Sequence, residues 1–204
     1  MFGFNFLWIS LMLLKGFHAC DKRGTEKSVL QNGPFLSEHN EEKKQWQWLT
    51  QGYYFWTDDA FFAYIWGKKH YRNKYYILEC DIDVPDDLYL DLHGNVTDQV
   101  YFYELLKIYK GFLKKVAPGE EPTICTAINH FRHKTEGDMS KLFPYLVVKA
   151  ADDHGGECVN FTPRRREAMN KIKRQQICVF EDGKDCISEP KLFYTSEITE
   201  EKMR

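Results

Sequence analysis

The chain has no excess of charge of either sign: 28 Lys and Arg stand against 30 Asp and Glu in 204 residues, a formal net charge of −2. That excludes a polycation gripping nucleic acid over its whole surface, so any such affinity must come from a local patch. It also lacks a Cys-x-x-Cys pair. The six cysteines, Cys20, Cys80, Cys125, Cys158, Cys178 and Cys186, are scattered, which removes a zinc ribbon. Cys80 and Cys178 fall inside apolar strand patterns, where a thiol behaves as a small hydrophobe. A reduced, cytoplasmic protein is the expectation. No apolar run reaches the length of a bilayer span. Residues 2–14 resemble the apolar part of a signal peptide, but no basic residue precedes them and Phe17-His18-Ala19-Cys20 is a poor cleavage site. They are expected to lead into a buried first strand, with no stable membrane insertion. An exported, disulfide-bonded binding protein rests on that stretch and the even cysteine count alone. Internal repeats and low-complexity segments are absent. Aromatics are not: they reach 16%, with 12 Tyr and 15 Phe. That suits a ring-packed core and a cleft that holds flat rings.

The length fits one domain with a core of its own. Residues 11–19 read as a strand, and Asp21 to Leu30 as a helix capped by Asp21 or Thr25 and stopped at Asn32-Gly33. Pro34 to Gln47 is polar and reads as a solvated connection anchored by Trp46 and Trp48. Tyr53 to Trp56 is a short apolar strand entered through Gly52. Thr57-Asp58-Asp59 then announces a helix whose Phe61, Phe62, Ala63, Ile65 and Trp66 cover more than one face, so a largely buried helix is expected. Lys68 to Lys74 is a basic loop. Tyr75 to Val84 alternates from Leu78 onward as a half-buried strand, and Leu88 to Leu92 is a short one. A helical insertion follows at about 95–140. Its first helix carries apolar residues at Val100, Tyr103, Leu106, Leu113 and Val116, and its second runs from Pro122 to Phe131. His130 and His133 lack a third ligand nearby, so no metal site is assigned. Tyr145 to Ala150 and Gln176 to Phe180 are strands. Arg164 to Arg174 is basic and helical or loop-like, and the last dozen residues are charged and read as frayed or partner-binding.

Two motifs stand out from this frame. Lys15-Gly16-Phe17-His18-Ala19-Cys20-Asp21 ends the first strand, and Trp48-Leu49-Thr50-Gln51-Gly52-Tyr53-Tyr54-Phe55-Trp56 makes the second. With Gln176-Ile177-Cys178-Val179, the chain resembles the ADP-ribosyltransferase superfamily, on the branch of poly(ADP-ribose) polymerases and diphtheria toxin. That family has a strand ending in His-Gly-Thr or His-Gly-Ser, a second reading Gly-x-Tyr-Phe, and a third starting with Glu or a substitute. Bacterial members reading roughly His-Gly-Cys-Asp, Trp-Leu-Gly-x-Gly-Ile-Tyr-Phe-Trp and Gln-Ile-Cys-Val are the nearest likeness, over about residues 15–188.

The resemblance implies an α+β fold, a split, mostly antiparallel two-sheet core around an NAD cleft, in a single catalytic domain over 1–204. It implies transfer of ADP-ribose from NAD. The nicotinamide leaving group is cationic, so no strong general acid is needed. The site must hold a flat ring, bind its amide and stabilise an oxocarbenium-like ribose. The implied catalytic residues are His18, Tyr54 and Gln176. His18 would donate to an adenosine ribose hydroxyl, the Ala19 main chain would bind the amide, and Tyr54 would stack on nicotinamide. Tyr64 or Trp66 would close the other side of the ring. Ala19 replaces the usual Gly, which is compatible only with a negative φ. In strand alternation Gln176, Cys178 and Phe180 share one face, while Ile177 and Val179 face the core. Gln176 can bind a hydroxyl but cannot act as a base, which favours transfer of a single unit.

Arg164, Arg165, Arg166, Lys171, Lys173 and Arg174 have only Glu167 against them and run into the Gln176 strand. They are the expected acceptor-binding residues, or hold the cofactor pyrophosphate. The reading is a bacterial mono-ADP-ribosyltransferase, a toxin of a toxin–antitoxin or phage-defence system, using NAD as co-substrate and RNA, DNA or protein as acceptor. An antitoxin protein is its implied partner. A degenerate module that binds ADP-ribose or a nucleotide without transfer is the alternative.

Overall fold

The computed structural model describes residues 10–40, 42–72, 74–133, 141–152, 158–164, 167–170 and 172–196. The protein is α+β, with one mostly antiparallel sheet and four helices among the described residues. In chain order these are β1 Leu11–Asp21, α1 Glu26–Asn32, β2 Leu36–Ser37, β3 Gly52–Thr57, α2 Phe61–His70, β4 Tyr75–Pro85, β5 Tyr89–Asp91, α3 Val96–Val116 and α4 Ile124–Arg132. Then come β6 Val147–Asp152, β7 Cys158–Asn160, β8 Ala168–Asn170, β9 Arg174–Val179 and β10 Lys191–Thr195. The sheet order is β10-β4-β1-β3-β9-β6-β5, with β2 beside β3, and β7-β8 form a separate hairpin. Among the described strands only β5 and β6 pair parallel.

The two halves expected as separate sheets are joined, but narrowly. β1 pairs with β4 along its whole length, from Leu11 opposite Pro85 to Asp21 opposite Tyr75. It meets β3 only at Gly16 opposite Thr57 and Phe17 opposite Trp56. β2 takes the other end of the same β3 edge, Leu36 opposite Tyr53 and Ser37 opposite Gly52, while β9 fills the far edge. Between the two partners of that edge the sheet is split at Tyr54 and Phe55. Gly52 is required by closeness on the β9 side: a Cβ there would lie 2.5 Å from Cys178 Sγ and 2.7 Å from the Val179 carbonyl oxygen.

One face of the β3-β9-β6 half is covered by α3 and α4. Phe102, Leu105, Tyr109 and Leu113 recur at helical spacing and pack with Ala127, Ile128 and Phe131 on Leu90, Val148, Cys178 and Phe180. Each Leu, Ile, Val or Phe among them contributes about 1.5–3 kcal/mol by leaving water. Asn95 caps α3 through Thr97 and Asp98 N–H, and Thr123 forms a reciprocal cap with Thr126 on α4. The opposite face buries Tyr53, Phe55, Ile177 and Val179 against Cys80, Ile82 and Val84.

Several expectations change. α3 turns a different face inward: Val100, Tyr103 and Val116 are exposed. The helix after Asp59 is α2, and it is not largely buried. Only Ala63 and Gly67 are fully covered, and Phe61, Ile65 and Trp66 are exposed, because the helix lies on one face of the β1-β4 end. β1 is buried only from Gly16 to Cys20, with Leu11 and Leu13 facing out. Cys178 and Phe180 are as buried as Ile177 and Val179, because the sheet is covered on both faces there. The described residues of 164–174, expected to be helical or loop-like, hold β8 and the start of β9. Lys191–Thr195, expected to be frayed in part, is an edge strand on β4. Residues 1–9 and 197–204 lie outside the described residues. No described helix is long and apolar enough to cross a membrane.

Candidate functional site

The split in the sheet opens into a cleft of about 280 Å³. Its position follows from register. Trp56 lies opposite Gln176 on β9, and Gln176 lies opposite Ala150 on β6, so these side chains share the face that carries Tyr54 and Cys178. α3 and α4 cover the Cys178 end of that face and leave the Gln176 end open. The cleft walls include His18, Ala19, Tyr54, Trp66 and Gln176.

His18 fills the split itself. Nδ1–H donates to the Tyr54 carbonyl at 2.9 Å, and Nε2 accepts from the Phe35 N–H at 3.2 Å. A ring that donates at one nitrogen and accepts at the other is a neutral imidazole. Burial lowers its pKa, the Tyr54 bond partly offsets that, and the Arg23 charge adds to the lowering. Both ring nitrogens therefore serve the protein. Donation to a ribose hydroxyl requires the ring to give up its Nδ1–H bond to Tyr54, or to gain a proton at Nε2 in place of the Phe35 bond.

The Tyr54 ring is fixed at its far end. Its hydroxyl donates to the Thr50 carbonyl at 2.7 Å and accepts from the Leu49 N–H at 2.8 Å, closing the turn that brings Trp48 to the cleft. Burial, first, and the neighbouring Cys178 thiol raise the phenol pKa, so it stays neutral. Ala19 has no positive φ, so its methyl is accommodated without backbone strain. Its carbonyl accepts from the Tyr71 hydroxyl at 3.5 Å.

The structure separates the two candidates for the second ring. Trp66 lines the cleft, 5.9 Å from Trp56, and stacks on His70 one turn later with ring centroids 3.7 Å apart. Tyr64 points to the other side of α2, where its ring meets Tyr194 at 4.8 Å and Phe193 at 6.4 Å. Tyr64 is not a wall of the cleft, because two positions along a helix turn the side chain by about 200°.

The basic cluster is divided. Arg174 reaches the cleft wall and pairs with Asp152, its register partner on β6. Arg164 is exposed past the end of β7 at φ 68°, and Lys173 is half-buried before β9. Arg165, Arg166 and Lys171 lie outside the described residues. Ser37, Gln47, Trp48, Trp56 and Tyr71 also line the cleft and were not anticipated as site residues. For Trp56 the signal was present: it is two residues from Tyr54 on a strand and so shares its face. Tyr71 carried no such signal, standing in a basic turn that reads as solvated.

The His130 ring packs at a tilt against Tyr109 and Phe112, with centroids at 4.7 and 4.6 Å. Among the described residues no group of three or more His, Cys, Asp or Glu side chains is placed to hold a metal ion. Comparison of the chain with protein-family models, with curated proteins and with solved structures finds no match to any of them.

The cleft thus offers an aromatic floor in Tyr54 and an aromatic wall in Trp66. It adds main-chain groups at Ala19, one neutral amide in Gln176 and one guanidinium in Arg174. Among the described residues none of its walls carries a carboxylate; Asp152, the partner of Arg174, lines the neighbouring cavity. Such a set can hold a flat ring and a hydroxylated group and stabilise charge by hydrogen bonds.

Proposed function

We propose that the protein is an NAD-dependent mono-ADP-ribosyltransferase with an ADP-ribosyltransferase-like fold. One observation carries the reading: the three motif segments, ending at His18-Ala19, at Tyr54 and at Gln176, meet at one cleft where the sheet splits. Nicotinamide lies on Tyr54, faced by Trp66, with its amide at the Ala19 main chain. Gln176 binds the ribose hydroxyls as the carbon–nitrogen bond lengthens. Tyr54 and Trp66 stack by dispersion and exclude water, which strengthens each hydrogen bond to the developing cation. Arg174 holds a phosphate of the cofactor or of the acceptor. A cleft of about 280 Å³ takes the ring and its ribose, and the rest of the dinucleotide runs along the mouth.

The acceptor is nucleic acid, RNA or DNA, or protein. The biological setting that fits the resemblance is a bacterial toxin of a toxin–antitoxin or phage-defence system, acting in the cytoplasm and held by an antitoxin protein. A second reading has a specific observation behind it: both His18 nitrogens are committed within the protein, and Gln176 carries no charge. These favour a module that binds ADP-ribose or a nucleotide and transfers nothing. NAD labelled in its ADP-ribose part, incubated with the chain and separated RNA, DNA and protein, distinguishes the two. Label in one pool supports transfer; binding of ADP-ribose with no labelled pool supports the module.

A further inference from the structure

A second cavity, of about 520 Å³, lies beside the cleft and shares Trp48 and Arg174 with it. Leu49, Ile124, Ala150 and Ala151 give it apolar walls, and Cys125 opens into it. Cys125 Sγ is 3.9 Å from His39 Nδ1. The Gln47 N–H donates to that same nitrogen at 3.4 Å, so Nδ1 carries the lone pair and the ring proton is at Nε2. That lone pair takes the thiol proton when it exchanges the long Gln47 bond for the thiol, which lies within hydrogen-bond range for sulfur. Cys125 is also the second residue of α4, whose first turn is held by the Thr123–Thr126 cap, and a helix start favours the thiolate left behind.

We propose that Cys125 and His39 form a thiol-modification site that takes a small disulfide into this side cavity. The thiol proton passes to His39 Nδ1, and the thiolate attacks one sulfur of the disulfide. The sulfur–sulfur bond breaks, and the leaving thiolate takes the proton back from the imidazolium. One thiol and one disulfide give one mixed disulfide and one thiol. A disulfide that carries carboxylates is received by Arg174, at the shared wall, in exchange for its Asp152 partner, which lines the same cavity. The adduct lies against Trp48 and beside the Trp46-Gln47-Trp48 segment, whose Trp46 ring packs edge-on to His39 at 4.9 Å. Modification therefore alters a wall of the cleft. The site stands on its own geometry and does not depend on what the cleft binds.

The other thiols provide internal comparisons. Burial pushes Cys20, Cys80 and Cys178 up to about 12, and burial raises Cys186 as well. Cys158 is exposed on the β7–β8 hairpin. Among the described residues, the titratable or charged groups around Cys125 include His39, the Asp152–Arg174 pair, and the neutral Tyr54 and Cys178.

The test is treatment of the full chain with oxidised glutathione at pH 7, followed by mass mapping of each cysteine with time. Cys125 is expected to be modified first, and His39→Gln to slow it about tenfold while Cys158 keeps its rate. Earlier modification of Cys158, or an unchanged Cys125 rate in a folded His39→Gln, overturns the proposal. If His39→Gln does not fold, the pH profile of Cys125 alkylation by iodoacetamide in the unaltered chain decides. A rate that levels off below pH 8 is expected. A rate that climbs about tenfold per unit up to roughly 8.5, as for an ordinary thiol, overturns it.

Discussion

The imidazole of His18 donates to the main-chain carbonyl of Tyr54 across the split in the sheet, at 2.9 Å. It does so between the part of β3 paired with β2 and the part paired with β1. The side chain thus supplies a hydrogen bond on an edge where two backbone partners diverge, and its other nitrogen ties in Phe35. The cleft and the hydrogen bonds that hold it open are one arrangement.

His18→Ala is therefore expected to lower stability as well as ligand affinity. It leaves the Tyr54 carbonyl and the Phe35 N–H without their partner, at a cost of about 1–3 kcal/mol. Thermal unfolding and NAD titration on the same variant check this. A full loss of affinity with an unchanged melting temperature contradicts it and returns His18 to a direct ligand contact.

The same residue sets a pH dependence. Burial keeps the folded His18 pKa below the ordinary imidazole value of about 6.5. The unfolded chain then binds the extra proton first as pH falls, so stability is fully present above about 6.5 and declines as pH drops through the folded value. The expected result is a melting temperature that falls between pH 7 and pH 5, with a shallower fall in His18→Gln. Equal slopes for the two proteins contradict it.

Tyr54 separates ring from hydroxyl. Tyr54→Phe keeps the stacking surface and loses the bonds to Leu49 and Thr50, so it costs about 1 kcal/mol of stability and retains most transfer. Tyr54→Ala loses both and is inactive. An inactive Tyr54→Phe with wild-type stability assigns the hydroxyl to the chemistry and contradicts the stacking role.

Trp66 and Tyr64 make a paired test. Trp66→Ala is expected to weaken NAD binding by roughly 1 kcal/mol, about fivefold, with the smaller effect on stability. Tyr64→Ala has the reverse pattern, because its ring packs on Tyr194 and Phe193. The reverse outcome in NAD titrations would place Tyr64, not Trp66, on the ring.

Arg174→Gln breaks an exposed cross-strand ion pair, which is worth little to stability, under about 1 kcal/mol. Its effect is expected in ligand affinity. If Arg174 holds the cofactor, NAD binding weakens. If it and Arg164 hold a nucleic-acid acceptor, each substitution flattens the log–log salt dependence of acceptor binding by about 0.7–0.9. Salt titrations for NAD and for acceptor distinguish these, and no change in either removes both residues from binding.

Much of the sheet is legible in the sequence because strand signals are local. Gly52 to Thr57 and the alternating Leu78, Cys80, Ile82 and Val84 stand where their patterns place them. Helix existence is equally local, since Thr25, Asn95 and Thr123 each cap a helix by a short-range bond. Which face a helix buries is not local. α3 carries apolar residues nearly all round, and only packing on Val148, Cys178 and Phe180 selects the Phe102–Leu105–Tyr109–Leu113 face. The site divides in the same way. Tyr54 and Gln176 are legible because strand alternation and their motifs fix their faces. Trp48 and Tyr71 are not, because a turn closed by the Tyr54 hydroxyl and the far end of α2 bring them in. β10 was missed because Lys191–Thr195 is a short edge strand whose partner lies over a hundred residues earlier.

The central claim is that this cleft breaks the bond between ribose and nicotinamide. The most direct measurement is release of nicotinamide from NAD by the purified chain, beside Tyr54→Ala and Gln176→Ala, with folding of each verified by thermal unfolding. The account predicts release by the unaltered chain and a loss of at least about a hundredfold in both variants. An unaltered, folded chain that releases no nicotinamide with RNA, DNA and protein acceptors present, or variants that release it at the unaltered rate, contradicts the claim.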